Sequence, residues 1–319
     1  MSDPQKMILY RKRQDLLFQV LGLACMLLGI LVLVILLARL FHDGWPRLTS
    51  SFFTNFPSRR AENAGILSAW VGSLLLMLVT MLTAVPIGIA AAVYLEEYAK
   101  RNWFTTLIEI NISNLAGVPS IIYGLMALGM LSLLQGSEAY LSNTLHLKIH
   151  LNPGRSILLG GMTLGLLVLP IIIVATREAL RTIPQAIREA AYACGATKWQ
   201  VIRYHLLPYS MGGIATGTII AMSRAVGETA PLITIGALTY VAFLPKAPIR
   251  LSPFELHLTE WLTSGFTALP IQMFNWTSRP QASFHQNAAA AGLVLIAFTL
   301  TMNAIAIWVR YRVRSKIKW

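Results

Sequence analysis

The stretch Glu189-Ala190-Ala191-Tyr192-Ala193-Cys194-Gly195, followed by residues 196–205 and then Leu206-Leu207-Pro208, decides how this chain is read. It is polar and punctuated by glycine, and it lies between two long apolar segments. Thr182 can cap a helix that holds Pro184 in its first turn and Glu189 soon after. Gly195 suits a left-handed stop at the far end. Thr197 can cap a second helix, which Pro208 closes as the next apolar segment begins. Ala190, Ala191 and Ala193 keep the first helix narrow, and Arg188, Glu189, Lys198 and Arg203 give the pair a charged rim. A narrow knob with a polar rim suits a cleft on another protein. A solvated loop helix touching only lipid headgroups has the same pattern, and spacing alone leaves both open.

Outward from this hairpin the chain is apolar. Of its 319 residues 55% are hydrophobic and 12% charged, against a charged share of about 25% in soluble domains. The expected fold is therefore all-α and polytopic. Six segments reach the ~20 residues a membrane span needs: 16–40, 67–95, 112–134, 157–176, 209–236 and 288–309. The first is too long for a signal peptide and lacks a small-residue cleavage site, so it is expected to be retained. Six spans put both termini on one side. Sixteen Lys and Arg lie on the side of the N-terminus, the hairpin and the tail, nine lie on the other, and Arg224 falls within a span. The termini and the hairpin are thus expected in the cytoplasm. The net charge of +13 follows from the same bias, with no aromatic-basic stripe for nucleic acid.

The expected organisation is a basic N-terminal segment with the first span and an outer loop (1–66), a core of five spans carrying the cytoplasmic loop 177–208 (67–309), and a basic tail (310–319). The outer loops are 41–66, 135–156 and 237–287; the last is predicted to hold a short re-entrant or interfacial helix near 253–265. Cys25 and Cys194 would lie on opposite sides, so no disulfide is expected, and both read as small buried residues. No pair among the six His has metal-ligand spacing, no Ser/His/Asp grouping points to hydrolysis, and no phosphate-loop motif is present.

The fifth segment contains Ser223-Arg224-Ala225-Val226-Gly227-Glu228-Thr229-Ala230-Pro231-Leu232. Arg224 follows Pro208 by 16 residues, roughly 24 Å along a helix and deep in the hydrocarbon. Glu228, four residues on, shares its face. A charge there costs at least about 3 kcal/mol, so the two must pair, face an aqueous path, or both. One reading is a structural ion pair. The other is a solute-contacting site in which the planar Arg224 fork takes an oxyanion, Ser223 and Thr229 add hydroxyls, and Glu228 holds Arg224 between turnovers. Gly227 would permit close packing and Pro231 a bend. Asn111, Ser113 and Asn114 could line a path but are more ordinarily helix-bonding groups. Glu96 and Glu97 are expected to pair with Lys100 and Arg101 at the surface.

Glu189, Ala190, Ala191, Gly195, Leu207 and Pro208 resemble the EAA loop of ABC-importer permeases, with His205 where that family carries an aliphatic residue. The 223–232 segment, 84–99, Gly117-Val118-Pro119-Ser120 with the residues to Leu125, Met273-Phe274-Asn275-Trp276 and 288–291 are similar to phosphate-importer permeases. The resemblance implies a type I ABC-importer permease fold in the bacterial inner membrane and a chain that is not an enzyme. It implies four kinds of neighbour: a related second permease subunit, two copies of an ATPase subunit that use ATP and Mg2+, an extracytoplasmic phosphate-binding protein, and lipid. It implies no cofactor on this chain. It makes the hairpin the coupling helix and puts Arg224 and Glu228 in the phosphate path. Three other functions remain: import of another oxyanion such as sulfate or molybdate, an intramembrane enzyme using Glu228, and a passive anion channel.

Overall fold

A computed structural model describes residues 4–100, 102–145, 155–237, 241–244, 249–251, 254–256 and 260–315. Among the described residues the regular structure is helical apart from one ribbon of two three-residue strands. In order, the helices are α1 (Pro4–Gly44), α2 (Ser50–Thr54), α3 (Leu67–Val93), α4 (Trp103–Leu115), α5 (Ser120–Leu145), α6 (Ile157–Arg181), α7 (Gln185–Ala193), α8 (Lys198–Val201), α9 (Leu207–Gly227) and α10 (Ala230–Thr234). There follow the strands β1 (Ile249–Leu251) and β2 (Phe254–Leu256), then α11 (Glu260–Thr263), α12 (Leu269–Thr277) and α13 (Ala282–Ser315). The strands pair antiparallel, Ile249 opposite Leu256.

The core is a stack of α3, α6 and α9, filled by Leu76, Val79, Leu164, Leu167, Val168, Ala221 and Met222. Small residues let the backbones approach, as apolar interfaces in lipid require. Gly213 and Gly217 of α9 face Ala179 and Ala175 of α6, an antiparallel pairing of two four-residue small-residue steps. The Thr80 hydroxyl donates to the Gly161 carbonyl at 3.1 Å and ties α3 to α6.

Among the described residues, four helices are long and apolar enough to cross a membrane, and α4 with α5 makes a fifth if the bent pair is one span. The expected third span, 112–134, is thus not one rod: α4 meets α5 at 113°. Pro119 disfavours a helical residue before it and lacks an amide donor. The Leu115 carbonyl accepts from the Val118 amide at 3.1 Å and from the Tyr123 hydroxyl at 2.8 Å. The expected fifth span, 209–236, breaks as well. α9 stops at Gly227, Glu228 is extended (φ −77°, ψ 121°), and α10 begins at Ala230. Gly213 and Gly217 bring α9 close to α6, and its glycines and hydroxyls leave it less apolar than the helices that qualify as spans.

α1 has 41 residues, and its apolar stretch lies exposed along this single chain. Its C-terminal end rests on α13, with Leu40 against Gly292. Arg47 fastens the following loop, donating to Asn287 Oδ1 at 2.7 Å and to the Ala61 carbonyl at 2.8 Å. Cys25 is exposed on α1 and Cys194 is exposed at the end of α7, so neither is the buried residue expected; both are free thiols. Of the helix expected near 253–265 a single turn, α11, is helical: 254–256 form β2 instead, and 253 and 257–259 lie outside the described residues. The longer helix is α12, with Pro270 in its first turn and Leu269, Ile271 and Trp276 buried beneath it.

Candidate functional site

The hairpin is built by its caps. Pro184 itself takes the N-cap position of α7, while the Thr182 hydroxyl turns back to donate to the Ala179 carbonyl at 2.8 Å. Thr182 therefore finishes α6 and does not start α7. Gly195 has φ +80°. Its amide donates to the Tyr192 carbonyl at 2.9 Å, and that of Ala196 donates to Ala191 at 3.1 Å, a Schellman stop that satisfies the last carbonyls of α7. Thr197 and Gln200 form a capping box at the start of α8. Pro208 does not close this helix. A π-helical turn, Ile202–Leu206, carries α8 directly into α9, and the Leu207 amide donates to the Ile202 carbonyl. The wide turn accommodates a proline that has no amide to offer.

These turns sort the expected coupling residues into two sets. Glu189, Ala190 and Gly195 are exposed on the outside of the hairpin. Ala191 is buried beside Leu180, Ile183, Val201, Ile202 and Leu206, and Leu207 packs against that cluster. Pro208 is half-buried. The inner set seats the hairpin on α3 and α6. The outer set is joined by Tyr192, Trp199 and Tyr204, all exposed. The sequence reading passed over these aromatics, although aromatic side chains next to the Ala-rich helix were the available signal.

The rim is less free than its charges imply. Arg188 points inward, donating to Glu97 Oε1 at 3.0 Å and to the carbonyls of Ile183 and Leu180 at 2.9 and 3.1 Å. Lys198 lies 4.9 Å from the centre of the Tyr98 ring. Glu96 and Glu97, on a π-helical turn at the end of α3 (Tyr94–Tyr98), do not pair as expected within their own loop; Arg101 is outside the described residues. Glu96 binds Arg181 through both oxygens at 3.0 Å and Arg177 at 3.3 Å. Arg177 also donates to Glu109 of α4 at 2.6 Å. Nothing in the spacing of 96, 109 and 177 could have joined them, because folding α3, α4 and α6 together does so. Arg177, Arg181, Glu178, Glu109, Ser113 and Asn114 line a cleft of about 460 Å³. Asn111 and Ser113 bond carbonyls four residues back within α4.

In α9, Arg224 Nε donates to Glu228 Oε1 at 3.3 Å, so the structure joins the two expected charges. The Arg224 side chain is 39% exposed and that of Glu228 19%, while Ala221, Met222, Ala225 and Val226 bury the other face. Ser223 is not on the Arg224 side: its hydroxyl reaches Asn303 Oδ1 of α13 at 2.7 Å. Thr229 is the N-cap residue of α10, and its carbonyl accepts from Ile233 at 3.0 Å. A Cβ on Gly227 would meet nothing within 4 Å, so this glycine does not serve close packing. Gly124 does: its position on α5 lies against Pro231 of α10. The two broken helices thus touch beside the charge pair. Among the described residues no group of His, Cys, Asp and Glu could hold a metal.

A family model described as "Binding-protein-dependent transport system inner membrane component" matches residues 84–319. The chain is 29% identical over 308 residues to a phosphate transport system permease protein PstA of Yersinia pestis, covering 96% of this chain and 93% of that one. It is 30% identical over 320 residues to a phosphate transport system permease protein PstC of Xylella fastidiosa, covering 96% and 93%. A bacterial ABC transporter that imports the acidic polysaccharide alginate has a solved structure with the same fold. Its TM-score is 0.63 at 14% identity, covering 96% of this chain and 99% of that one.

Proposed function

We propose, from the premise that this chain belongs to the family of binding-protein-dependent transport system inner membrane components, that it is one permease subunit of an importer of inorganic phosphate. As a member of that family it is a multi-pass inner-membrane subunit of an ABC transporter, without catalytic activity of its own. The proposal extends to its cargo, its partners and its residues.

The observation that carries it is the Arg224–Glu228 pair. One face of α9 is core, yet the opposite face holds a guanidinium left 39% exposed by this chain alone. Lipid does not tolerate that face at such depth. A second, related permease subunit would cover it, with an aqueous path between the two. The Arg224 fork would take two phosphate oxygens, and Glu228 would take the fork back once phosphate has left. Thr229 stands at the break beside them, and Ser223 would act indirectly, by holding α9 on α13. The relatives named for phosphate transport support phosphate over sulfate or molybdate.

The second element is the hairpin. The outer face of α7 and α8 would dock into an ATPase subunit, one copy under each permease chain, with ATP and Mg2+ bound there and not by this chain. Both termini would share that cytoplasmic side, and an extracytoplasmic phosphate-binding protein would deliver cargo at the other. Closure of the ATPase pair would move the hairpin, and the seat formed by Ala191, Leu207 and Pro208 would pass that motion to α6 and α9.

The test is uptake by the purified complex in proteoliposomes, with phosphate, sulfate and molybdate compared at equal concentration. ATP-dependent phosphate uptake, preferred over the other anions, is the expected result. Preference for sulfate or molybdate overturns the cargo. Anion flux without ATP means a channel, and turnover by the isolated chain means an enzyme.

A further inference from the structure

The ion pairs at the cytoplasmic end link four separate elements: α7 through Arg188, the π turn of α3 through Glu96 and Glu97, α6 through Arg177 and Arg181, and α4 through Glu109. The two adjacent carboxylates face different partners. Glu97 holds the hairpin, and Glu96 holds the last turns of α6. Arg177, only 8% exposed, forks between Glu96 and Glu109.

α4 packs through the half-buried Ile108 and Ile112 against the small cluster of Ala92, Leu95 and Ile173. None of its residues is buried, and it stands at 113° to α5. Its firmest polar tie is the 2.6 Å bond from Arg177 to Glu109. The cleft of about 460 Å³ beside that bond leaves α4 room to move against α6. α4 leads through the bend into α5, and α5 lies against α10 at Gly124 and Pro231, next to Glu228.

We propose that the Glu97–Arg188 and Glu96–Arg177–Glu109 pairs form a relay that turns displacement of the hairpin into movement of α4, and through α5 into opening of the path at Arg224. Glu109 is a positioning residue in this relay and touches no cargo. The relay rests on the reading of the hairpin as the ATPase contact. A relay, unlike a static staple, couples the two sites in function.

Glu109→Gln is the discriminating variant. It keeps the shape of the side chain, removes its charge, and leaves Arg177 paired with Glu96, so no buried guanidinium is stranded. Glu109→Asp keeps the charge. In the reconstituted complex, the relay expects Glu109→Gln to copurify its ATPase at wild-type yield while ATP consumed per phosphate imported rises about five-fold or more. Glu109→Asp should bring the ratio back towards wild type. A wild-type ratio in Glu109→Gln, an equal defect in both variants, or loss of the ATPase from Glu109→Gln overturns the relay. A wild-type complex that purifies without any ATPase sinks the docking reading and the relay together. A normal ratio with the ATPase in place sinks the relay alone.

Discussion

Gly213 of α9 and Ala179 of α6 meet without room for another atom: a Cβ on the glycine would stand 2.5 Å from that of the alanine. The neighbouring Gly212 has nothing within 4 Å of the same position. Adjacent glycines in one helix thus have opposite tolerance. Gly213→Ala should destabilise the purified protein by about 1–3 kcal/mol through overpacking. Gly212→Ala should be neutral, or stabilise by up to about 1 kcal/mol through helix propensity. Thermal unfolding in detergent measures both, and equal behaviour of the two variants would contradict the packing.

Arg224→Ala should abolish phosphate uptake while the subunits still assemble. Arg224→Lys keeps the charge and loses the planar fork, so uptake should remain at least about ten-fold below wild type if two oxygens are gripped at once. Normal uptake in either variant would remove the guanidinium from the path.

Gly195→Pro places a residue of fixed negative φ at a position with φ +80° and deletes the amide that donates to Tyr192. The hairpin should lose its turn, and the complex should lose the ATPase or hydrolyse ATP without transport. Unchanged copurification together with cargo-stimulated hydrolysis would count against docking through this turn.

Trp199 is 54% exposed at the outer face of α8. Aromatic anchors of this kind carry about 2 kcal/mol or more at an interface. Trp199→Ala should therefore weaken ATPase association about 30-fold, read by titrating the ATPase onto the detergent-solubilised permease pair. Wild-type affinity would move the contact elsewhere on the hairpin.

Arg188 and Glu97 are buried enough, at 20% and 9% side-chain exposure, for their bond to matter to local stability. Arg188→Ala strands the carboxylate and should loosen the hairpin by about 3–5 kcal/mol. Amide exchange across 182–206 should accelerate, while the α3–α6 core keeps its protection. Uniform protection in the variant would show that the pair does not hold the hairpin.

Much of this architecture was legible in the residues. The start of α6 at Ile157, the left-handed stop at Gly195 and the cap at Thr197 each follow from local chemistry. The Arg224–Glu228 pair follows from helical spacing alone. Other features depend on distant neighbours. Pro208 reads as a terminator because proline lacks a donor, yet a π turn absorbs it. Pro119, beside Gly117, carried the signal for a broken span, and the apolar run on either side obscured it. Glu96 has basic residues close by in sequence, but the chain folds it against Arg177 and Arg181, whose planar forks give it geometry that a neighbouring lysine could not. The fit of Gly213 and Gly217 against Ala179 and Ala175 shows only once α9 and α6 are folded together.

α1 is 41 residues long, about 62 Å as a straight helix, roughly twice the thickness of the hydrocarbon layer. The excess has to lean or project, because the stretch carrying Arg11, Lys12 and Arg13 cannot enter the acyl chains. A rod tethered at one end to α13 can change its inclination without disturbing the α3–α6–α9 stack. A thicker or thinner bilayer would then be met by the slope of this one rod, which makes it compliant beside the packed α3–α6–α9 stack.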